Sequence, residues 1–291
     1  MNAEAQPIIP NPTVGCMICE SAEYAPWDVE NGYDFVKCGD CGLLYVRNPP
    51  PSEEIEKGHQ QGEHRGEEVL DVTRSYCNHS EKQHRQRLAE IFAGNPPTGT
   101  WLDIGCGHGE FITALTRLYG DRLEVMGSEP NVKKRAGATE RGLNVSYFDL
   151  ETHDRQYDYL SLMNVFSHLR FPVEFFNTMN RLTKPGGKII VQTGDTADLD
   201  AKDHYKPYAL PDHLHFASAG IMRDFLRRTG FEVEHIYRYP YRERTPWILF
   251  KEFVKLFHPT KKSMIPQLSA IRGWDGTNMY ILARKVAEPS G

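Results

Sequence analysis

Four cysteines arranged as two C-x-x-C pairs carry the strongest chemical signal in this chain. Cys16 and Cys19 form one pair, Cys38 and Cys41 the other, with 18 residues between the pairs. Two thiolates three positions apart on a tight turn grip one ion from one side, and a second such turn completes a tetrahedron of sulfurs. Gly39 and Gly42 relax the backbone around the second knuckle. The spacing predicts bound Zn2+, structural rather than catalytic because four thiolates leave no open position. The bland alternative is four unrelated buried cysteines. A redox pair is disfavoured, since the strand–helix setting of a thioredoxin-type motif is missing. Cys77 and Cys106 stand outside the set.

A second constellation is the glycine turn Asp103-Ile-Gly105-Cys-Gly107-His-Gly109-Glu110. Glycines there let a strand turn sharply into a helix and let a ligand approach the backbone. The dinucleotide fingerprint G-x-G-x-x-G would need glycine where Glu110 stands, which argues against a dinucleotide oxidoreductase. Asp103 precedes the turn, and Ser128-Glu129 ends the next strand-like run. A carboxylate at that second place can take both hydroxyls of a ribose.

These residues need elements to hold them. Residues 1–15, with three prolines, are expected to be disordered, and 16–47 form the zinc module, with strands around 33–37 and 43–46. Asn48-Pro-Pro-Pro51 breaks the pattern, so 48–97 reads as a charged, glycine-containing linker ending in a lid helix over Tyr76–Phe92. From residue 98 to 291 strands and helices alternate: strands near 101–104, 123–127, 145–148, 157–163, 188–193, 231–237 and 279–284, with helices between them. That alternation predicts an α/β fold, a parallel sheet with helices on both faces. Ligands in such sheets sit outside the carboxyl ends of the strands, where the glycine turn lies.

Composition agrees. The 291 residues are 40% hydrophobic and 25% charged, ordinary for a globular protein, and enough for one large domain with an appendage. A net charge of -5 excludes a chain-wide basic footprint for nucleic acid. No run approaches the roughly 20 apolar residues that span a bilayer, and the N-terminus lacks a secretory pattern, so a cytoplasmic location is expected.

The runs WLDIGCGHGEF, VMGSEP, YDYLSLMNVFSHL and LTKPGGKIIVQT, in this order, resemble the class I S-adenosylmethionine-dependent methyltransferases over about 98–285. The resemblance implies a Rossmann-like seven-stranded sheet whose last strand is antiparallel, with S-adenosyl-L-methionine as cofactor. It further implies that Gly105, Gly107 and Gly109 face the methionine and ribose parts, that Asp103 lies near the amino group, and that Glu129 binds the ribose. Asp149 and Leu150 would contact adenine, and Asn164 would offer backbone to the methionine end. Together with the zinc module, the chain looks like methyltransferases of sugar and natural-product pathways, the deoxysugar C-methyltransferases among them. In that group a Glu-His pair is the proposed base. Here Pro211-Asp212-His213-Leu214-His215-Phe216-Ala217-Ser218 stands in its place, making His213 the candidate base and Asp212 its assistant. The competing account is that His213 or His215 only ties the loop to the sheet.

Two departures qualify the likeness. The long C-terminal domain of those C-methyltransferases has no counterpart here, so oxygen is as good an acceptor as carbon. In related quinone O-methyltransferases Glu-His follows the fourth strand and can hold a divalent metal. Here Ser167-His168 replaces it, which argues against a metal ion and leaves His168 a structural role. His204, Tyr205 and Tyr208 offer a wall for a sugar or aromatic acceptor. The insertion 238–275 is basic, with an apolar stretch at Trp247-Ile-Leu-Phe250. An ordinary packed helix is the simpler account of it. A phosphorylated or carrier-linked acceptor, or peripheral membrane contact of 245–258, is the sharper one. A small-molecule methyltransferase is therefore favoured. An RNA methyltransferase is weighed against the acidic zinc module, and a non-catalytic zinc and nucleoside binding module against the retained carboxylates.

Overall fold

The computed structural model describes residues 12–204, 206–240, 254 and 277–286. Seven strands form the central sheet in the order β12-β13-β10-β9-β6-β7-β8. They are β6 (Gly99–Ile104), β7 (Leu123–Ser128), β8 (Val145–Ser146), β9 (Tyr157–Met163), β10 (Thr183–Asp195), β12 (Phe231–Pro240) and β13 (Thr277–Lys285). Neighbours run parallel except at β13, which is antiparallel to both β10 and β12. This is the expected α/β class with its reversed last strand. The strands buried on both faces are near-continuous apolar runs, as a covered parallel sheet requires. Trp101 on β6 is fully buried and stacks on Tyr159 of β9 at 4.7 Å.

The helices meet the sheet through apolar faces at helical spacing. Helix α3 (Glu110–Tyr119) buries Phe111, Ile112, Ala114 and Leu115. Helix α5 (Pro172–Leu182) begins with proline at its first turn, and α6 (Ala219–Arg228) buries Ile221, Met222, Phe225 and Leu226. Helix α4 (Val132–Glu140) is capped by the Asn131 side chain, which accepts a hydrogen bond from Lys134 N at 3.0 Å. Helix α2 (Asn78–Ile91) lies within the span expected as a lid, and it packs on α3. Arg117 pairs with Glu81 at 2.9 Å, and Leu88, Ile91 and Phe92 join the core around Trp101.

A second sheet holds β1 (Tyr24–Glu30), β2 (Tyr33–Cys38), β3 (Leu44–Val46) and β11 (His215–Phe216), in that order. Strand β11 comes from the far part of the sequence and pairs antiparallel with β3. One apolar core therefore runs from Phe35 and Leu44 of this small sheet to Phe166 after β9, Phe176 of α5 and Phe225 of α6, against the large one. Where charge and glycine content suggested only a linker, the chain forms α1 (Ser52–Gln61) and a hairpin of β4 (Glu63–Arg65) and β5 (Val69–Asp71). The reason is local. Ile55 is buried, and Gly58 lies so close to the His64 ring that a Cβ would sit 2.5 Å from Nδ1. Of the stretch expected to be disordered, residues 1–11 lie outside the described residues, and Val14 N donates to Arg47 O at 2.8 Å. Nearly all of the 238–275 insertion, including the proposed membrane contact and Trp247, also lies outside them.

Candidate functional site

The glycine turn leaves β6 at its carboxyl end. Gly105, Gly107 and Gly109 all have positive φ (65°, 57° and 86°), a conformation that a side chain would strain. A Cβ at Gly105 would lie 2.7 Å from Val165 and one at Gly109 2.2 Å from Leu143, so both glycines are also required for packing. Gly107 is different, because nothing lies within 4 Å of its Cβ position. That open side is the cradle. Glu129 ends the neighbouring β7 strand and is 5% exposed. Its Oε2 accepts from Gly107 N at 2.6 Å and its Oε1 from Asn131 N at 2.8 Å. A carboxylate has about four acceptor positions; two remain for a vicinal diol.

Asp103 is fully buried, accepting from Ser161 Oγ at 2.5 Å, while its Oδ2 has no hydrogen-bond partner. Burial pushes its carboxyl up to about 8, Ser161 opposing and Glu129 and Glu110 adding to the rise. Such a group is primed to face a cation, which would restore its charge. Asn164 closes β9 with a positive φ of 60° and an exposed side chain, its Nδ2 3.4 Å from His168 Nε2. Asp149 is exposed and caps its own turn through Glu151 N at 2.9 Å, and half-buried Leu150 packs on the main core. Over the glycine turn lies the approach to α2: His108 bonds Arg74 O, Arg141 stacks on Tyr76, and Cys77 N donates to Glu110 Oε1 at 2.9 Å.

Beside Asn164 is a cluster of imidazoles around one carboxylate. Asp212 Oδ1 lies 3.1 Å from His168 Nδ1 and 3.3 Å from His64 Nε2. The rings of His168 and His213 are 4.8 Å apart, and His59 packs edge-on to both His64 and His168 at 5.3 and 6.2 Å. Asp212 thus serves His168, not His213 as expected from their adjacency. Leu214 N bonds Ser167 O at 2.7 Å and draws the 212 carboxylate over His168, while the His213 ring turns to Tyr208 O at 2.7 Å. The electrostatics follow. Burial works against charging His168, but Asp212 outweighs it and holds its pKa above the ordinary value, while burial drives His213 down to about 4. Asp212 itself is held well below the carboxylate range by His168 and His64, against the effect of burial. His215 is fully buried against Phe166 and bonds Leu169 O at 3.1 Å, a tie to the fold.

Sequence reasoning missed His59 and His64, which α1 and β4 deliver to this cluster. The carbonyl of His59 also accepts from Asn131 Nδ2 at 3.1 Å, joining the cluster to the Glu129 side of the cradle. The available signal was a pair of histidines five residues apart flanking Gly62 in a charged run.

The four cysteine sulfurs lie within 4.8 Å of one another, with Cys16–Cys41 at 3.5 Å and Cys19–Cys38 at 3.6 Å. A ZnS4 tetrahedron with 2.3 Å bonds has edges of about 3.8 Å; the donor set fits the ion. The small sheet also reaches the loop at Tyr208 and Leu210. Glu30 accepts from Tyr208 N at 2.8 Å and Leu210 N at 3.0 Å, and Asn31 Nδ2 donates to Leu210 O at 2.9 Å. His204 is buried near Trp27 and Tyr208, whereas Tyr205 lies outside the described residues. Among the described residues no helix is long and apolar enough to cross a membrane.

A family model described as a methyltransferase domain matches residues 76–236. The ubiquinone biosynthesis O-methyltransferase of Caulobacter vibrioides is 35% identical over 101 residues, covering 32% of this chain and 40% of that protein. Its counterpart from Klebsiella pneumoniae is 33% identical over 100 residues, covering 32% and 41%. The chain thus spans about two fifths of the length of these relatives. Among solved structures, geranyl diphosphate C-methyltransferase from Streptomyces coelicolor, in complex with Mg2+, geranyl diphosphate and S-adenosyl-L-homocysteine, superposes with a TM-score of 0.54. It is 14% identical, with 71% of this chain and 79% of that one covered, a likeness of fold.

Proposed function

The chain belongs to the methyltransferase-domain family, and on that premise we propose that it transfers a methyl group from S-adenosyl-L-methionine to a small-molecule acceptor, a sugar or natural-product intermediate. The observation that carries this reading is the open Gly107 cradle facing Glu129, whose carboxylate keeps two acceptor positions for ribose hydroxyls. In it, Gly105, Gly107 and Gly109 line the cofactor, Asp103 stands near its amino group, Asn164 offers backbone to the methionine end, and Asp149 and Leu150 border the adenine. Donor sulfonium and acceptor nucleophile need alignment and exclusion of water more than covalent chemistry. When bound, the cofactor supplies the electrophilic methyl group.

Where the acceptor must lose a proton, the Asp212 cluster receives it. His168, oriented by Asp212, is the leading acceptor, and His213, held by Tyr208 O in one tautomer with Nε2 unprotonated, is the second. A Zn2+ ion held by Cys16, Cys19, Cys38 and Cys41 would have a structural role, shaping the sheet that carries Glu30 and Asn31 to the acceptor loop. Calorimetric titration with S-adenosyl-L-methionine and then NAD tests the reading: saturable binding of the first alone is expected. Glu129→Ala should weaken it about 10- to 100-fold, the value of about one charge-assisted hydrogen bond. Asp212→Asn should instead lower turnover and spare cofactor affinity. Equal loss of both would make the loop structural, and no binding of either nucleotide would shift the chain to a partner-binding role.

A further inference from the structure

Helix α1 delivers His59 to the Asp212 cluster and leads directly into β4, which delivers His64, yet little holds it down. Its ten residues bury only Ile55 and Gly58, and no side chain caps its first turn. A helix of this length is marginal without tertiary support. Two contacts fix its carboxyl end. The His59 carbonyl accepts from Asn131 Nδ2 at 3.1 Å. Gly62, which closes the helix with a φ of 81°, leaves no room for a Cβ between Thr73 Oγ1 and Asn131 Nδ2. Both contacts bring the end of α1 onto the same amide.

That amide belongs to a residue only 1% exposed. The backbone N of Asn131 donates to Glu129 Oε1 at 2.8 Å, and its Oδ1 caps α4 by accepting from Lys134 N at 3.0 Å. Its Nδ2 is left to hold α1. One residue thus joins the carboxylate that faces the glycine cradle, the start of α4 and the helix that carries His59.

We infer that Asn131 is a positioning residue that makes the docking of α1, and with it the assembly of the acceptor side, depend on an occupied cofactor cradle. The inference rests on the methyl-transfer reading, because ribose hydroxyls on Glu129 are its starting point. Hydroxyls that donate to Glu129 fix the carboxylate, and Oε1 then fixes Asn131 N. The amide at the head of α4 is held where it meets His59 O. Undocking α1 leaves Asn131 Nδ2 without its buried partner and loosens the same residue from the other side. The cofactor therefore binds the docked arrangement more tightly than the undocked one, and that difference shifts the balance between them. With α1 docked, the His59 ring lies edge-on to His168 at 6.2 Å, and His64 Nε2 is 3.3 Å from Asp212 Oδ1. Undocked, the cluster loses its cover on that side.

Hydrogen-exchange mass spectrometry of the full-length protein, with and without saturating S-adenosyl-L-homocysteine, tests this without an acceptor. In the wild type, amide exchange in α1 is expected to slow about fivefold or more when the ligand is added, the lower end of ordinary coupling between sites. Asn131→Ser keeps a side-chain oxygen to cap α4 and the backbone N–H to Glu129 but removes the amide. The ligand should then no longer slow exchange in α1. A merely structural asparagine gives another pattern: exchange in the variant is faster with and without ligand, and the fivefold ratio is kept. That pattern would overturn the inference, as would unchanged α1 exchange in the ligand-bound wild type. Should the serine variant fail to fold, Gly62→Ala pushes α1 off Asn131 and leaves the Glu129 contact in place. The ratio should again fall to about one, and a kept ratio would again overturn the inference. Absence of ligand binding to the wild type would remove the methyl-transfer reading and this inference together, whereas binding without a change in α1 would remove the inference alone.

Discussion

Two polar clusters sit at opposite ends of the small sheet's influence, and they are built on opposite plans. The cysteine knuckle takes four identical soft donors from 26 consecutive residues, 16 to 41, and brings all four sulfurs within 4.8 Å of one another. The histidine cluster takes five residues of two kinds from α1, β4, the turn after β9 and the 208–216 loop, and leaves one side open. A closed set of donors can only hold shape, whereas an open one can exchange what it holds. The two are linked: the knuckle borders a sheet whose β1–β2 turn, through Glu30 and Asn31, grips the loop that carries Asp212 and His213 of the open cluster.

Breaking the knuckle should have the largest effect. Structural zinc contributes about 10–16 kcal/mol in zinc-finger peptides, as much as the whole ~5–15 kcal/mol stability of an ordinary domain. Cys38→Ser is therefore expected to strip protection from β1–β3 in hydrogen-exchange mass spectrometry and to abolish turnover. Retained zinc and full protection in that variant would remove the cysteines as a metal site. The link between the two clusters is tested more gently by Glu30→Gln. The substitution removes the charge from two hydrogen bonds to Tyr208 N and Leu210 N, of which charge-assisted examples contribute about 1.5–3 kcal/mol. Because Glu30 is half-buried, we expect a loss near the low end, about tenfold in kcat/KM, with cofactor affinity unchanged. Equal loss of both would mean that the small sheet supports the whole fold and not the acceptor side in particular.

The smallest expected effect separates the open cluster from the general acid sensitivity of buried histidines. His84 on α2 belongs to neither cluster; it is bonded to Tyr280 OH at 3.1 Å and edge-on to Phe111. Burial, with Arg87 adding, drives its pKa down to about 4. The unfolded chain, near 6.5, then binds the proton more readily than the folded one. Stability from this group is complete above about pH 6.5 and is lost as pH falls from there toward 4. His84→Gln should flatten that part of a Tm-against-pH curve by a few degrees, and an unchanged curve would place the acid response elsewhere.

The cysteine pairs, the glycine turn and the succession of strands and helices were legible because each depends on neighbours in sequence. C-x-x-C spacing, a glycine-rich strand-to-helix turn and period-3.6 or continuous apolar runs are local patterns. The place of Glu129 was legible for the same reason, directly after the strand that follows the turn. The partner of Asp212 was not. Adjacency suggested His213, but hydrogen bonding of Leu214 N to Ser167 O brings a residue 44 positions away nearer than the next one in the chain. Helix α1 was hidden because its run Ser52–Gln61 buries only Ile55 and Gly58, too little to outweigh its charge in a reading of periodicity. Strand β11, two residues long, carries no pattern at all and exists because β3 has a free edge to offer.

That two-residue strand also bears on biosynthesis. Cys16 to Val46 leave the ribosome before β11 does, and the sheet's fourth strand follows 169 residues after β3 ends. At about 5–20 residues per second, the delay is on the order of ten to thirty seconds. Through that interval the open edge of β3 is exposed to whatever else is in the tunnel's vicinity. A sheet begun by β1–β3 is closed only when a strand from the far side of the large sheet arrives.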